Sequence, residues 1–327
     1  MPSFRRKRTR KPRTSTSVDA LSEVLRLARF SAGITLDATA RAPWCVSVAT
    51  SSSIVRAHLV TEGECQVKLA GAEPVTLGAA EIVFLPHGDA HLVGNPLDAP
   101  AKALSSLVKS PVAGEPAAVS LGREGAATRW IVLSATLERH LSEPYIDALP
   151  RVMQVDMGNV PAMQWLTDAL GLTLSSSDAP AVGAAAERSR LAELVLIEAM
   201  SRYVDWLPSG GKGWLAGLAD QYVGRALALV HGRPAESWTV EKLGRQVGLS
   251  RSALADRFSE VMGEPIFGFL TRWRLQVAAE FLLTTPRSIE SIAHDAGYES
   301  AGAFSAAFKR VFGKPPSTWR KRRRHRA

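Results

Sequence analysis

The sequence predicts an α+β protein: a strand-rich N-terminal part, a helical middle and an all-α C-terminal part holding two helix-turn-helix units. Three observations predict it. Residues 34–133 carry short runs rich in Val, Ile, Leu and Thr, broken by Gly, Pro and Asp, the pattern of a β-barrel or sandwich. Residues 161–218 change to apolar positions at helical spacing. Beyond residue 221, a helix, a glycine turn and a second helix occur twice, the second helices opening at Ser250 and Ser300.

Taken in order, residues 1–18 are basic and polar without periodicity, a tail expected to be disordered. Ala20–Phe30 (ALSEVLRLARF) sets Leu21, Val24, Leu25 and Ala28 at helical spacing and opens the folded body. Strands are expected at Trp44–Ala49, Ser53–Val60, Cys65–Leu69, Pro74–Leu77, Ile82–Leu85 and Trp130–Leu133. Pro111–Ala127, rich in Ala, Gly and Pro, reads as a long loop. Met163–Leu172 and Ala184–Trp206 read as helices joined by the Ser175–Gly183 loop. The apolar side of the second, with Leu191, Leu194, Ile197 and Met200, suits either a core or a dimer interface.

A chain of 327 residues, 46% hydrophobic and 22% charged, has the material for about two buried cores. No window approaches 18 unbroken apolar residues, so neither a transmembrane helix nor a secretion signal is expected. Cys45 and Cys65 are too few for a disulfide scaffold and fit a reducing cytoplasm, where both read as buried thiols. The net charge of +9 is unevenly spread. Residues 1–13 hold seven Lys/Arg and no acid, and 221–327 hold 18 Lys/Arg against nine Asp/Glu, whereas 14–220 hold 15 against 22. A basic tail, an acidic body and a basic C-terminal domain suggest that one end meets a polyanion and the middle does something else.

The C-terminal hundred residues are the most informative. Thr239 caps a helix with Val240, Leu243 and Val247 inward; Gly248 breaks it, and Ser250 caps a second helix with Leu254, Phe258 and Val261 inward. A longer helix, Ile266–Leu283, follows Pro265. Ser288 then caps a helix with Ile289, Ile292, Ala293 and Ala296 inward, Gly297 turns the chain, and Ser300 opens a helix with Phe304 and Phe308 inward. In such units the second helix enters the major groove N-terminus first, and flanking Lys and Arg neutralise phosphates. A rigid joining helix holds two readers one turn of duplex apart, about 34 Å.

Three stretches, WTVEKLGRQVGLSRSALADRF, LTRWRLQVAAEFLL and SIESIAHDAGYESAGAFSAAFKRVFGKPPSTWR, make residues 222–322 resemble the DNA-binding domain of the AraC/XylS family of bacterial transcription regulators. The resemblance implies binding to double-stranded DNA, control by a small-molecule effector or by homodimerisation, and contact with RNA polymerase. It places Arg251, Ser252, Ala255 and Asp256 of the first reader and Ala301, Gly302, Ser305 and Ala306 of the second at base edges, with Arg257, Ser300, Lys309 and Arg310 beside them. Asp256 and Ala306 depart from that family, where a polar or basic reader and Arg are common. Asp256 must accept from a cytosine amine or pair with Arg257 or Arg251, and Ala306 offers only apolar contact. Sparse base readout and dominant phosphate contact are therefore expected. The run Arg320–Arg326 would add phosphate contact, and the tail Arg5–Arg13 reads either as a further source of salt-sensitive affinity, as a solubilising tail or as sequence ahead of the true start.

The stretch Leu85-Pro-His-Gly-Asp-Ala-His-Leu-Val-Gly-Asn95 reads like half of a metal site, with His87 and His91 four residues apart. Its Pro86-x-Gly88-x-x-His91-x-x-x-Asn95 spacing resembles the second half-motif of cupins. With LSEVLRLARF, APWCVSV, HLVTEGECQVKL and GAAEIVFLPHGDAH, it makes residues 20–150 resemble the cupin-type sensor carried by one subgroup of AraC-type regulators. The resemblance implies a cupin-like β-barrel. The positions matching cupin metal ligands fall near Thr50, Ser52 and Arg56, none a good ligand, so the stretch reads as a strand-turn-strand element and no metal or other cofactor is expected. Trp44, Arg56, His58 and His91 are candidates for lining a small-ligand pocket, Trp44 reading first as a core residue; His87 and His140 read as surface residues.

The expected organisation is a basic tail (1–18), a cupin-like barrel sensor (19–150), a helical linker and dimerisation region (151–220) and a DNA-binding domain (221–327). The reading is a regulator and not an enzyme. Two alternatives stand beside it: a cupin metalloenzyme fused to a DNA-binding domain, and a thiol-redox sensor using Cys45 and Cys65, which needs their Cα atoms within about 7 Å.

Overall fold

The computed structural model describes residues 20–321 except 28–29, 52–53, 109–114, 138–144, 148, 159–160, 176–181 and 208–210. The expected tail 1–18, His140, Ser52 and most of the arginine run after Arg320 lie outside the described residues.

After helix α1 (Ala20–Leu27) come eleven described strands: β1 (Ser31–Arg41), β2 (Trp44–Val48), β3 (Ile54–Glu62), β4 (Glu64–Leu69), β5 (Val75–Gly78), β6 (Glu81–Leu85), β7 (His91–Asn95), β8 (Ala101–Ala103), β9 (Ala117–Leu121), β10 (Ala127–Thr136) and β11 (Met153–Asp156). A one-turn helix, α2 (Leu104–Leu107), follows β8. The strands make a six-stranded sheet, β11-β6-β3-β10-β1-β9, and a five-stranded one, β5-β4-β7-β2-β8. The sheets face each other across a shared apolar interior, with Leu36, Trp130 and Val132 from one and Trp44, Val46, Val67 and Val93 from the other. Among the described residues no ladder closes them, so the barrel expected from the sequence is a jelly-roll-like sandwich. Two strands fell in places read otherwise. Ala117–Leu121, inside the expected loop 111–127, pairs in parallel with β1, and Met153–Asp156 pairs with β6. Both are short edge strands whose sequences lack a clear alternation.

Strand β1 serves two cores. Its Ala32 and Ile34 face outward from the sandwich, whereas Leu36, Ala38 and Ala40 face inward. A register shift between Ile34 and Leu36 accounts for the change, since a bulge sends the following side chains to the opposite face. The central strand β10 is buried on both faces, Trp130 and Val132 inward and Ile131 and Leu133 outward. The outward face is covered by α1 and by two long helices, α3 (Pro161–Ser175) and α4 (Ala184–Trp206). Leu194 of α4 and Trp165 and Leu172 of α3 are exposed, so only one side of each helix is used for that packing.

The remaining helices are α5 (Trp214–Ala219), α6 (Gln221–Gly232), α7 (Val240–Val247), α8 (Arg251–Met262), α9 (Ile266–Thr284), α10 (Ile289–Asp295), α11 (Ala301–Phe312) and α12 (Pro316–Lys321). Each predicted cap is formed: Thr239, Ser250, Ser288 and Ser300 accept from the backbone N–H three residues on. Gly248 and Gly297 take positive φ, +86° and +81°, at the two turns where the unit reverses.

Helix α9 joins two separate cores. Its first half, with Phe269, Leu270 and Trp273, belongs to a core continuous with Phe258 and Leu254 of α8, with α6, with α1 and with the outer face of the six-stranded sheet. Its second half, with Leu275, Ala279 and Leu282, packs on Ile292, Phe304, Phe308 and Trp319. The first helix-turn-helix unit thus shares its core with the N-terminal part, and the second has its own.

Candidate nucleic-acid interface

Both second helices present the same kind of surface. On α8, Leu254 and Phe258 are buried while Arg251, Ser252, Asp256 and Arg257 are exposed and Ala255 is half-buried. On α11, Phe304, Ala307 and Phe308 are buried, Gly302, Ala306, Lys309 and Arg310 are exposed, and Ala301 and Ser305 are half-buried. Ser300, exposed, caps α11 with its hydroxyl. The residues proposed for base contact therefore share one outward side of each helix; α8 opens with Arg251, whereas the first turn of α11, Ala301-Gly302-Ala303, carries only small side chains that let a backbone approach closely.

The charge arrangement differs from the sequence expectation at one point. Of the two roles expected for Asp256, accepting from a cytosine amine or pairing with Arg257 or Arg251, the second is not seen, since both guanidinium groups are engaged elsewhere. Arg257 donates to both carboxylate oxygens of Asp220, at 2.7 to 3.1 Å, and lies over the Tyr222 ring. Arg251 pairs with Glu241 at 3.0 Å. Asp220 also caps α6, accepting from the Tyr222 and Val223 amides. Burial opposes ionisation of Asp220, but the Arg257 hydrogen bonds and the two amides outweigh it and hold its carboxyl below the usual range. Neither Asp220 nor the α6 helix it starts was picked out from the sequence; an Asp one residue ahead of an apolar-periodic run was the available signal. Arg320 donates to the Arg287 carbonyl, 2.6 Å.

In the sandwich, three of the four pocket candidates come together with Trp130. His58 and His91 are buried and their Nε2 atoms lie 2.7 Å apart. The Trp130 indole donates to His58 Nδ1 at 3.0 Å, so the proton of neutral His58 sits on Nε2 and is donated to His91 Nε2. His91 in turn donates from Nδ1 to the Asp89 carbonyl at 2.7 Å. The chain of donors is satisfied only with both rings neutral. Burial pushes both imidazoles below their ordinary value, and the Arg56 guanidinium reinforces this. Trp44 stacks on Trp130 with centroids 5.4 Å apart, and Trp130 on His58 at 5.6 Å. Arg56 is half-buried, and its Nε has no hydrogen-bond partner among the described residues. Two imidazoles bonded to each other, an indole and a guanidinium do not fit a metal ion, which needs further anionic or neutral ligands. Among the described residues no group of three or more His, Cys, Asp or Glu is placed so that it could hold a metal ion.

The Pro86–Asn95 stretch is a turn leading into β7. Gly88 has φ +65°, and a Cβ there would lie 1.9 Å from the Ser51 carbonyl oxygen. Gly88→Ala is expected to destabilise the protein by at least ~2 kcal/mol, from a strained φ and a backbone clash; a shift of the urea midpoint checks it. His87, expected at the surface, is half-buried and bonds the Leu149 carbonyl at 2.9 Å. The cysteines do not meet. Cys45 pairs with Gly94 of β7, which on its other side pairs with Gln66, next to Cys65. Two strand spacings put the thiols' Cα atoms about 9–10 Å apart, beyond disulfide reach. Both are buried, and burial pushes the Cys65 thiol up to about 12.

A sandwich of this kind ahead of a paired helix-turn-helix domain defines a two-part DNA-binding regulator, and sequence comparison agrees. A cupin family model matches residues 19–205 and a helix-turn-helix domain model matches residues 243–322. An AraC-like transcription regulator of Streptomyces antibioticus is 31% identical over 312 residues, covering 93% of this chain and 99% of its own. The HTH-type transcriptional regulator AlkR of Acinetobacter baylyi is 28% identical over 307 residues, 93% of this chain and 99% of its own. The DNA-binding domain of AdpA in complex with a target DNA is 26% identical, covering 33% of this chain and 96% of that one, with a TM-score of 0.30. The chain belongs to the AraC-like family of transcription regulators and binds DNA. No helix among the described residues is long and apolar enough to cross a membrane.

Proposed function

We propose that α8 and α11 read double-stranded DNA in successive major grooves, with Arg251, Ser252, Ala255 and Asp256 on one and Ala301, Gly302, Ser305 and Ala306 on the other at base edges. Ser300, Lys309 and Arg310 meet phosphates. The observation that carries this reading is the matched outward side of the two Ser-capped helices, held at the ends of one helix that spans about 28 Å at 1.5 Å per residue. Arg257, bound to Asp220, holds α8 against the start of α6 more than it serves a phosphate.

The division proposed is a sensor over 19–150, a linking and dimerising region over 151–220 and a DNA reader over 221–327. The exposed apolar positions on α3 and α4 favour self-association. A polar effector admitted between the sheets would meet Trp44, Arg56, His58 and His91, with the Arg56 Nε as the donor still to be satisfied. Effector-dependent change in the dimer would set which half-sites are held together, and contact with RNA polymerase would follow from promoter binding. On this reading the protein regulates transcription in the cytoplasm and catalyses nothing.

The test is binding to DNA fragments from upstream of its own and neighbouring genes, against random competitor, at two salt concentrations. A preference for one segment is expected; equal binding everywhere would defeat the proposal of specific readout. Replacing Lys309 and Arg310 together by Ala is expected to weaken binding similarly across sequences and to lower the slope of log K against log [salt] by about two, roughly one per lost phosphate contact. Arg257→Ala should leave the slope nearly unchanged. An unchanged slope for the Lys309/Arg310 double variant would remove both from the phosphate contacts.

A further inference from the structure

The core that joins the six-stranded sheet to the first helix-turn-helix unit is not completely filled. A cavity of about 40 Å³ lies among Leu21 and Val24 of α1, Val55 of β3, Met153 of β11, Met200 of α4 and Trp214 of α5, and its exposed lining is wholly apolar. It lies on the side of the sheet opposite the Trp44, His58 and His91 cluster, since the residues around it belong to the core shared with the DNA-binding part.

Water gains little in such a space, because no polar atom of the lining is exposed to it, so an apolar molecule is the better occupant. The volume is well short of the ~150 Å³ that accepts benzene in an engineered cavity. It fits a xenon atom, a hydrocarbon of a few carbons, or the methyl end of a longer chain. Met153 and Met200 in the wall give it room to widen, since an unbranched thioether repacks readily.

The walls lead directly to the DNA reader. Tyr145, also in the lining, meets Trp214 edge-on with ring centroids 5.0 Å apart and Trp273 of α9 at 6.4 Å. Its hydroxyl donates to Gln276 Oε1 of α9 at 3.0 Å. Trp273 stacks on His231 of α6 at 4.0 Å. An occupant pressing on Tyr145 or Trp214 therefore acts on the helix that carries both readers. We propose that this cavity is an effector site for a small neutral apolar molecule, and that its occupancy changes DNA affinity through Tyr145, Trp214 and α9. The proposal rests on the reading of the N-terminal part as a sensor, and adds to it a site and a ligand class.

The experiment uses the full chain labelled with ¹³C at Ile, Leu, Val and Met methyls, under xenon pressure. Saturable shifts are expected at the methyls of Leu21, Val24, Met153 and Met200, and none at Val93 or Val132 between the sheets. Val55→Phe, which fills the cavity, should abolish them. Met200→Ala enlarges it and should bind benzene at least tenfold more tightly than the parent, which keeps the test open if Val55→Phe does not fold. Benzene should then change the affinity of Met200→Ala for the preferred upstream duplex at least threefold. Absence of shifts at the lining overturns the site, and shifts without any change in DNA affinity overturn its effector role. A DNA affinity that responds to a polar metabolite but not to benzene overturns this site while leaving the sensor reading intact; one that nothing bound to the N-terminal part alters overturns the sensor reading even where xenon binds.

Discussion

Trp130→Ala is expected to cost the protein about 3–5 kcal/mol, the range for deleting a fully buried large aromatic, with a further penalty from the His58 Nδ1 acceptor left in the interior without its donor. Trp130 is 0% exposed, stacks on Trp44 and on His58, and sits on a central strand whose neighbours β1 and β3 both pair with it. Domains are stable by only about 5–15 kcal/mol, so the variant should be largely unfolded well below the parent's transition temperature. Trp130→Phe separates the two contributions. It keeps a ring in the stack and loses only the indole N–H, so its loss should be nearer 1–3 kcal/mol, the penalty of an unpaired buried acceptor plus a small volume change. Chemical denaturation followed by circular dichroism checks both. Equal losses for the two variants would show that the hydrogen bond, not the packing, dominates, and a loss below about 1 kcal/mol for Trp130→Ala would mean the inter-sheet stack is not the sandwich's core.

How far the sequence went is visible in the two halves. The helix-turn-helix units were legible almost residue by residue, because caps, glycine turns and 3.6-residue periodicity are local signals: Thr239, Ser250, Ser288 and Ser300 all cap as read. Strand β10 was read too short and β9 was missed, since a strand's partner, not its own sequence, decides whether Ala117–Leu121 pairs. The His58–His91–Trp130 chain joins residues far apart in sequence, so spacing alone gave two candidate ligands and no hint that an indole fixes the proton order. Nor could periodicity show that α6 and the front half of α9 share a core with the sheet, since an amphipathic face does not name what covers it. That shared core changes how the regulator is understood. The first helix-turn-helix unit is packed onto the N-terminal part and the second hangs from the far half of α9, so on the proposed reading a signal from the N-terminal part would reach the first by direct packing and the second through one helix.

The junction between those parts should be acid-sensitive, and His231 is the reason. Its ring stacks on Trp273 at 4.0 Å and lies nearly parallel to Phe269 at 5.4 Å, and Nδ1–H donates to the Ala20 carbonyl of α1 at 3.2 Å. Nε2 is buried without a partner among the described residues. Burial lowers this imidazole to about 3 from an ordinary 6.5, and the Ala20 hydrogen bond only partly opposes it. Because the folded value is the depressed one, the unfolded chain binds the proton first. Stability is then at its full value above about pH 6.5 and falls as the pH drops toward 3, where the loss levels off. At ~1.4 kcal/mol per pH unit the whole window amounts to roughly 5 kcal/mol, and about half of that is gone by pH 4.5. His58 and His91 are shifted in the same direction and steepen the same limb. His231→Phe isolates the contribution. It keeps a ring in the stack, cannot titrate, and loses the hydrogen bond to the Ala20 carbonyl, at a cost of about 1–2 kcal/mol at pH 8. The variant should therefore be less stable than the parent at neutral pH and more stable in acid, so that the two stability curves cross between about pH 5 and 6. Parallel curves would show that His231 titrates normally in the folded state. With α1 packed on α6 and hydrogen-bonded to it through this ring, the protonation that loosens the junction should also loosen the first helix-turn-helix unit from the N-terminal part, and the crossing should be seen in DNA affinity at the same pH as in stability.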